Sequence, residues 1–109
     1  MKVPVINSDG SQIHWIDIND ISNVQRQKND IVVHTNNGTF YQITALDDWK
    51  LLLGTTFIRI DSGILVRKDV IKEFDSKLQV VHLKDGSMLS VARPRIPLVK
   101  EAIEETNAK

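Results

Sequence analysis

Short apolar runs separated by turn residues fill most of this chain. Ser8-Asp9-Gly10, Asn37-Gly38 and Asp85-Gly86 read as turns, because Asn, Asp and Gly tolerate the positive φ that tight hairpins require. Val3 to Ile6 and Ile13 to Ile18 flank the first turn as strands. Ile31 to Val33 and Phe40 to Ile43 flank the second, and Leu78 to Leu83 and Met88 to Val91 flank the third. Ile21 to Gln25, Phe57 to Ile60 and Ile71 to Phe74 are further strand candidates, and Ile64-Leu65-Val66 reads as buried. So many hairpins in so short a chain predict a mainly β, antiparallel fold.

Two short helices interrupt this pattern. Leu46, Trp49 and Leu52/Leu53 recur at helical spacing, with Thr44 placed to cap the first turn, Asp47 within it and Gly54 at the end. A second helix starts near Arg95 or Ile96, with Pro97 tolerated in its first turn. Its stripe of Ile96, Val99 and Ile103, helped by Ala102, faces inward, while Glu101, Glu104 and Glu105 face water. A terminal helix this acidic is expected to pack on a sheet rather than face phosphate. Trp15, Trp49, Phe57 and Phe74 are expected to supply core.

Composition narrows the function. The 109 residues include 14 basic and 14 acidic side chains, three His and no Cys. This length supports one domain, 1–109, with one core and a frayed tail at 106–109. Without Cys there is no disulfide framework, thiol nucleophile or Cys-ligated zinc. Apolar runs as short as Leu51-Leu52-Leu53 do not span a bilayer, and MKVPVINSDG lacks the apolar core of a signal peptide; a cytoplasmic protein without membrane attachment is expected. Net neutrality argues against nucleic acid unless the charges are segregated. They are: residues 59–95 hold eight basic and five acidic groups, whereas residues 1–58 hold four basic and six acidic.

The candidate chemistry is sparse. Asp61-Ser62-Gly63 follows an apolar strand as in aspartic proteases, and two such loops in a homodimer could share a proton between paired Asp61 carboxylates. No second supporting strand–Gly element accompanies it, and a turn using Asp and Gly for local backbone reasons explains the tripeptide more simply. His14, His34 and His82 are scattered without metal-site spacing, so no metal or other cofactor is expected. Arg67-Lys68, Arg93 and Arg95 sit where a rigid sheet could present them to a groove, the other reading being a solvated basic rim.

The stretch from Phe57 to Phe74, FIRIDSGILVRKDVIKEF, resembles the central signature of LytTR DNA-binding domains, Phe-Ile-Arg-Ile-His-Arg-Ser-Tyr-Ile-Val-Asn followed by a hydrophobic strand. Asp20-Ile21, the run Val32 to Gly38, the helix containing Trp49, and the closing pieces Val81 to Gly86 and Leu89 to Arg93 also resemble that family. The likeness covers about residues 2–105. It implies a fold of small antiparallel sheets and hairpins with two short helices, binding duplex DNA by loops in successive major grooves, often at repeated half-sites. In this length it implies a stand-alone regulator without a receiver domain. Residue by residue, Asp61 stands at the signature His, Ser62 at the following Arg, Gly63 at the Ser and Arg67 at the Asn. Ala92 stands at a Ser near the end, Arg93 is retained, Pro94 replaces a second Arg and Arg95 lies just beyond.

The resulting expectation is sequence-specific duplex DNA binding by a bacterial or phage transcriptional regulator that performs no chemistry. Arg67, Arg93 and Arg95 would supply most positive charge, Arg59 and Lys68 would contact phosphate, and Asp61 and Ser62 would shape specificity. His34, Asn36 and Asn37 would add contacts from the second hairpin. This reading expects Arg67, Arg93 and Arg95 on one face. The alternative is a LytTR-like interaction module that has lost DNA affinity and acts as partner or inhibitor of a regulator. Homodimers, on DNA or in solution through exposed strand edges, are compatible with either.

Overall fold

The computed structural model of the protein describes residues 1–7, 9–42 and 46–107, the last without its side chain. Ten strands form, all in hairpin or neighbouring antiparallel pairs: β1 (Lys2–Ile6), β2 (Ile13–Asp17), β3 (Ile21–Gln27), β4 (Asp30–Thr35), β5 (Gly38–Gln42), β6 (Phe57–Asp61), β7 (Ile64–Arg67), β8 (Ile71–Asp75), β9 (Val80–Leu83) and β10 (Met88–Ser90). Helix α1 (Leu46–Leu53) separates β5 from β6, and α2 (Ile96–Asn107) follows a 3-10 turn at Arg93–Arg95. The first seven strands make one sheet in the order β2-β1-β5-β4-β3-β7-β6, and the last three make a second in the order β10-β9-β8.

Hairpins form where the turn chemistry predicts them. Gly10, Gly38 and Gly86 all adopt positive φ, which costs a glycine little. The Thr44 cap, Ser8 and Ile43 lie outside the described residues. Leu78 and Gln79 are turn rather than strand, since Asp75 Oδ1 accepts from the backbone N–H groups of Lys77 and Leu78 (both 3.0 Å) and Gln79 has φ of 54°. Ile18 likewise leaves its strand for a 3-10 turn capped by Asp17, whose Oδ1 accepts from Asn19 N (2.9 Å).

Two apolar clusters replace the single expected core. One lies between α1 and the large sheet and contains Val3, Val5, Val24, Ile31, Val33, Leu46, Trp49, Leu53, Phe57 and Leu65. The other joins Ile60 and Val66 to Ile71, Val81, Leu83, Leu89, Val91 and, from α2, Val99. Side chains alternate faces along a strand, so adjacent Leu65 and Val66 on β7 enter different clusters. The second helix packs on strands as anticipated, with Val99 and Ala102 buried.

Trp15 corrects the sequence expectation: it is 66 % exposed, whereas Trp49 is 3 % exposed. Both faces of Ile13–Ile18 carry apolar residues. Ile16 and Ile18 pack on the first cluster, and alternation turns Trp15 and Ile13 to the other face. Leu52 is also exposed, and Leu53 takes the inward position in α1.

Candidate nucleic-acid interface

The β6–β7 hairpin closes through two residues, since Asp61 pairs with Ile64. Asp61 Oδ1 accepts from Gly63 N (3.0 Å), and Ser62 Oγ lies 3.5 Å from the same oxygen. The Asp-Ser-Gly sequence thus works as a turn-capping device. One side of this turn is fixed to β3 by Arg26 N donating to Gly63 O (2.7 Å). On the other side, Ala92 N donates to Ile60 O (2.8 Å), which brings the Arg93–Arg95 turn against the end of β6. Arg59 braces the hairpin from behind, pairing with the exposed carboxylate of Asp47 at the start of α1 and donating from Nη2 to Ser62 O (2.6 Å). Gly63 packs in ordinary contact with Arg26 O, 3.6 Å from where a Cβ would stand.

Asp61, Ser62, Arg93 and Arg95 therefore come together at one end of the large sheet. Arg26 adjoins them, and the β3–β4 turn with Lys28 lies at the same end, because Gln27 pairs with Asp30. The side chains of Arg26, Lys28, Arg93 and Arg95 make no hydrogen bond or ion pair among the described residues. Sequence reasoning missed Arg26 and Lys28. Their turn carries no Gly, and Lys28 rather than the neighbouring Asn29 adopts the positive φ, of 57°, so the hairpin signal there was weak.

Arg67 does not join this group. Its Nε donates to Ile21 O (2.9 Å), its Nη2 to Ile18 O (2.6 Å), and the guanidinium stands 4.7 Å from the centre of the Phe57 ring. It straps the start of β3 to the end of β7, away from the Ser62 turn. Asn36 and Asn37 lie at that far end as well: Asn36 N donates to Asp20 O (3.1 Å) and Asn37 N to Thr35 Oγ1 (3.1 Å). Arg67 is thereby engaged at the opposite end of β7 from the Ser62 turn.

Lys68 follows Arg67 and lines a groove of about 290 Å³ with Lys50, Arg59, Arg95, Glu101 and Glu105. Lys50 is held there by Gly54 O (2.9 Å) and Phe57 O (3.1 Å). Burial, then the nearby Lys68 charge, pushes the Lys50 ammonium below its usual range.

His34 sits within β4, opposite Asn23 on β3 and Thr39 on β5. Its Nδ1 is 3.4 Å from Thr39 Oγ1, while its Nε2 is buried without a hydrogen-bond partner. Burial pushes its pKa down, and the Asp85 carboxylate opposes that only partly. His82 pairs with Asp75 (3.2 Å). Among the described residues, no cluster of three or more His, Asp or Glu side chains could hold a metal ion, and no helix is long and apolar enough to cross a membrane.

Comparison with known proteins agrees with the resemblance read from the signature. The LytTr DNA-binding domain profile matches residues 11–104. Among solved structures, the chain is similar to the LytTr DNA-binding domain of a protein described as a methyl-accepting/DNA response regulator from Bacillus cereus. Sequence identity is 16 %, coverage is 94 % of this chain and 95 % of that one, and the TM-score is 0.81. No curated protein matches. That family is one of DNA-binding domains rather than enzymes, and here Asp61 caps its own turn by accepting from Gly63 N. With a profile spanning nearly the whole sequence and the same fold in a solved member, this chain belongs to the LytTR family of DNA-binding domains.

Proposed function

We propose that the domain binds duplex DNA with sequence preference and regulates transcription, presenting the Ser62 turn and the Arg93–Arg95 turn to the major groove. The observation that carries this reading is their juxtaposition: two backbone hydrogen bonds, to Gly63 O and from Ala92 N, fix the hairpin between Arg26 and the Arg93–Arg95 turn. A guanidinium can donate two bonds to guanine O6 and N7, and a carboxylate can accept from the cytosine amino group, so Arg93 and Asp61 suit base edges. Ser62, Arg26, Lys28 and Arg95 suit phosphate. Arg59 and Arg67 serve as internal struts, and Lys68 reaches the same side as Arg95 along their shared groove. Binding to repeated half-sites would place two copies on neighbouring grooves.

A second reading is an interaction module without DNA affinity. Zero net charge, the acid at the centre of the hairpin, and the internal engagement of Arg59 and Arg67 favour it. Arg93→Ala separates the two. Loss of a base contact should weaken the preferred duplex by about 1–3 kcal/mol and relax one position of its sequence preference. Binding unchanged by this variant and by Arg95→Ala, measured by fluorescence anisotropy, would favour the interaction module.

A further inference from the structure

The end of the large sheet formed by β2 is an open strand edge, and the phase of its hydrogen bonding is fixed. Asn7 N donates to Gln12 O (3.2 Å) and Ile18 N to Met1 O (3.0 Å), while Pro4, opposite Trp15, has no N–H and gives its carbonyl to Gln42 Nε2 (2.8 Å). Residues 12, 14, 16 and 18 therefore bond inward to β1. The backbone groups of Ile13, Trp15 and Asp17 point outward, and among the described residues nothing pairs with them.

Such edges invite pairing, and proteins usually blunt them with Lys, Pro, bulges or a covering element. Between Ile13 and Asp17 there is no Lys, Arg or Pro, and the pairing with β1 has no bulge. Instead Ile13 and Trp15, 70 % and 66 % exposed, stand side by side on one face. The opposite edge of the sheet is closed. Along β6, the Ile60 carbonyl accepts from Ala92 N, the Phe57 carbonyl accepts from Lys50 Nζ, and α2 packs against the strand.

We infer that β2 is a self-association edge, and that its occupant is β2 of a second copy of this chain, paired antiparallel about a two-fold axis at His14. This register sets Ile13 of each copy opposite Trp15 of the other, so each exposed apolar side chain is covered by one from the second copy. Asp17, the one carboxylate of the strand, meets Ser11 and keeps its own chain's Lys2 beside it. A shift of the axis to Trp15 would place Ile13 against Asp17, and a shift to Ile13 would leave Trp15 against Ser11. Zero net charge removes long-range repulsion between copies. With one open edge on the large sheet among the described residues, the contact closes as an isologous dimer instead of growing into a fibre. An interface of two five-residue strands falls below the roughly 1,200–2,000 Å² of stable complexes, so a weak, concentration-dependent dimer is expected. The inference does not depend on DNA binding.

Sedimentation velocity of the DNA-free chain, from micromolar to submillimolar concentration, tests it. The weight-average sedimentation coefficient should rise from monomer to dimer, and Trp15→Lys should weaken dimerisation at least about tenfold. Trp15 is exposed in the single chain, so this variant folds, which far-ultraviolet circular dichroism checks. The chain has no Cys, so His14→Cys carries a sole thiol. Directly opposed residues at a non-hydrogen-bonded antiparallel pair have Cα atoms about 4.5 Å apart, within disulfide range. This variant should oxidise to covalent dimer at least about tenfold faster than Glu104→Cys. A chain that stays monomeric throughout, or a dimer insensitive to Trp15→Lys with no preferential His14→Cys bridging, overturns the inference.

Discussion

Arg67 and Arg93 lie 26 positions apart in the same basic segment, yet their surroundings give them different work. Arg67 meets two carbonyls and an aromatic face, whereas Arg93 projects from a 3-10 turn with its charge unengaged. Charge-assisted hydrogen bonds contribute about 1.5–3 kcal/mol each and a cation–π contact about 0.5–1. Arg67→Met should therefore lower folding stability by about 2 kcal/mol or more in urea denaturation. Because that residue faces away from the Ser62 turn, the DNA affinity of the remaining folded protein should hardly change. His34 supplies a pH dependence. Its folded pKa is depressed by burial, so below about pH 6.5 the unfolded chain binds more protons than the folded one. Stability should fall as pH drops through that region, before the carboxylates near pH 4 titrate. His34→Gln should flatten this limb of the stability–pH profile; a profile unaltered between pH 7 and 5 would refute the assignment.

At the level of elements, the hairpins turning at Gly10, Gly38 and Gly86 were legible, because the signal is local. The β3–β4 hairpin was not, since Lys28 enters the left-handed region without a glycine to mark it. That conformation costs an L-residue roughly 1–2 kcal/mol, set against the extra chain entropy of glycine at about 0.5–1 kcal/mol. Lys28→Gly should thus leave stability equal or up to about 1.5 kcal/mol higher, while removing a cation from the proposed interface lowers the salt slope of DNA binding by about one unit. The apolar run Ile64-Leu65-Val66 marked burial, but nothing in the sequence indicated that its two faces met separate clusters. That depends on the non-local pairing of β3 with β7 and on the second sheet, neither of which leaves a periodic trace. The second helix anchors one cluster through fully buried Val99. Removing two methyl groups there by Val99→Ala should cost about 2 kcal/mol, measurable as a lower denaturation midpoint.

For the whole molecule, equal numbers of acids and bases set the character of binding. A neutral chain that grips DNA must do so through a local concentration of charge. The cations at one sheet end come from two separate stretches: Arg26 and Lys28 from β3 and its turn, Arg93 and Arg95 from the turn before α2. Counting along the chain found only the second group. The fold adds the first through the bond from Arg26 N to Gly63 O. It also withdraws Arg59 and Arg67, whose guanidinium groups are engaged internally. The candidate site was therefore half legible: family resemblance located the Ser62 hairpin and Arg93, while the partners of both depended on tertiary pairing. Selection of bound sequences from a random duplex library at about 0.15 M salt, with a salt titration of the winner, tests the central claim most directly. The proposed interface predicts an enriched motif, affinity that falls as salt rises, and loss of enrichment in Arg93→Ala. No enriched motif together with no salt-dependent retention would contradict it.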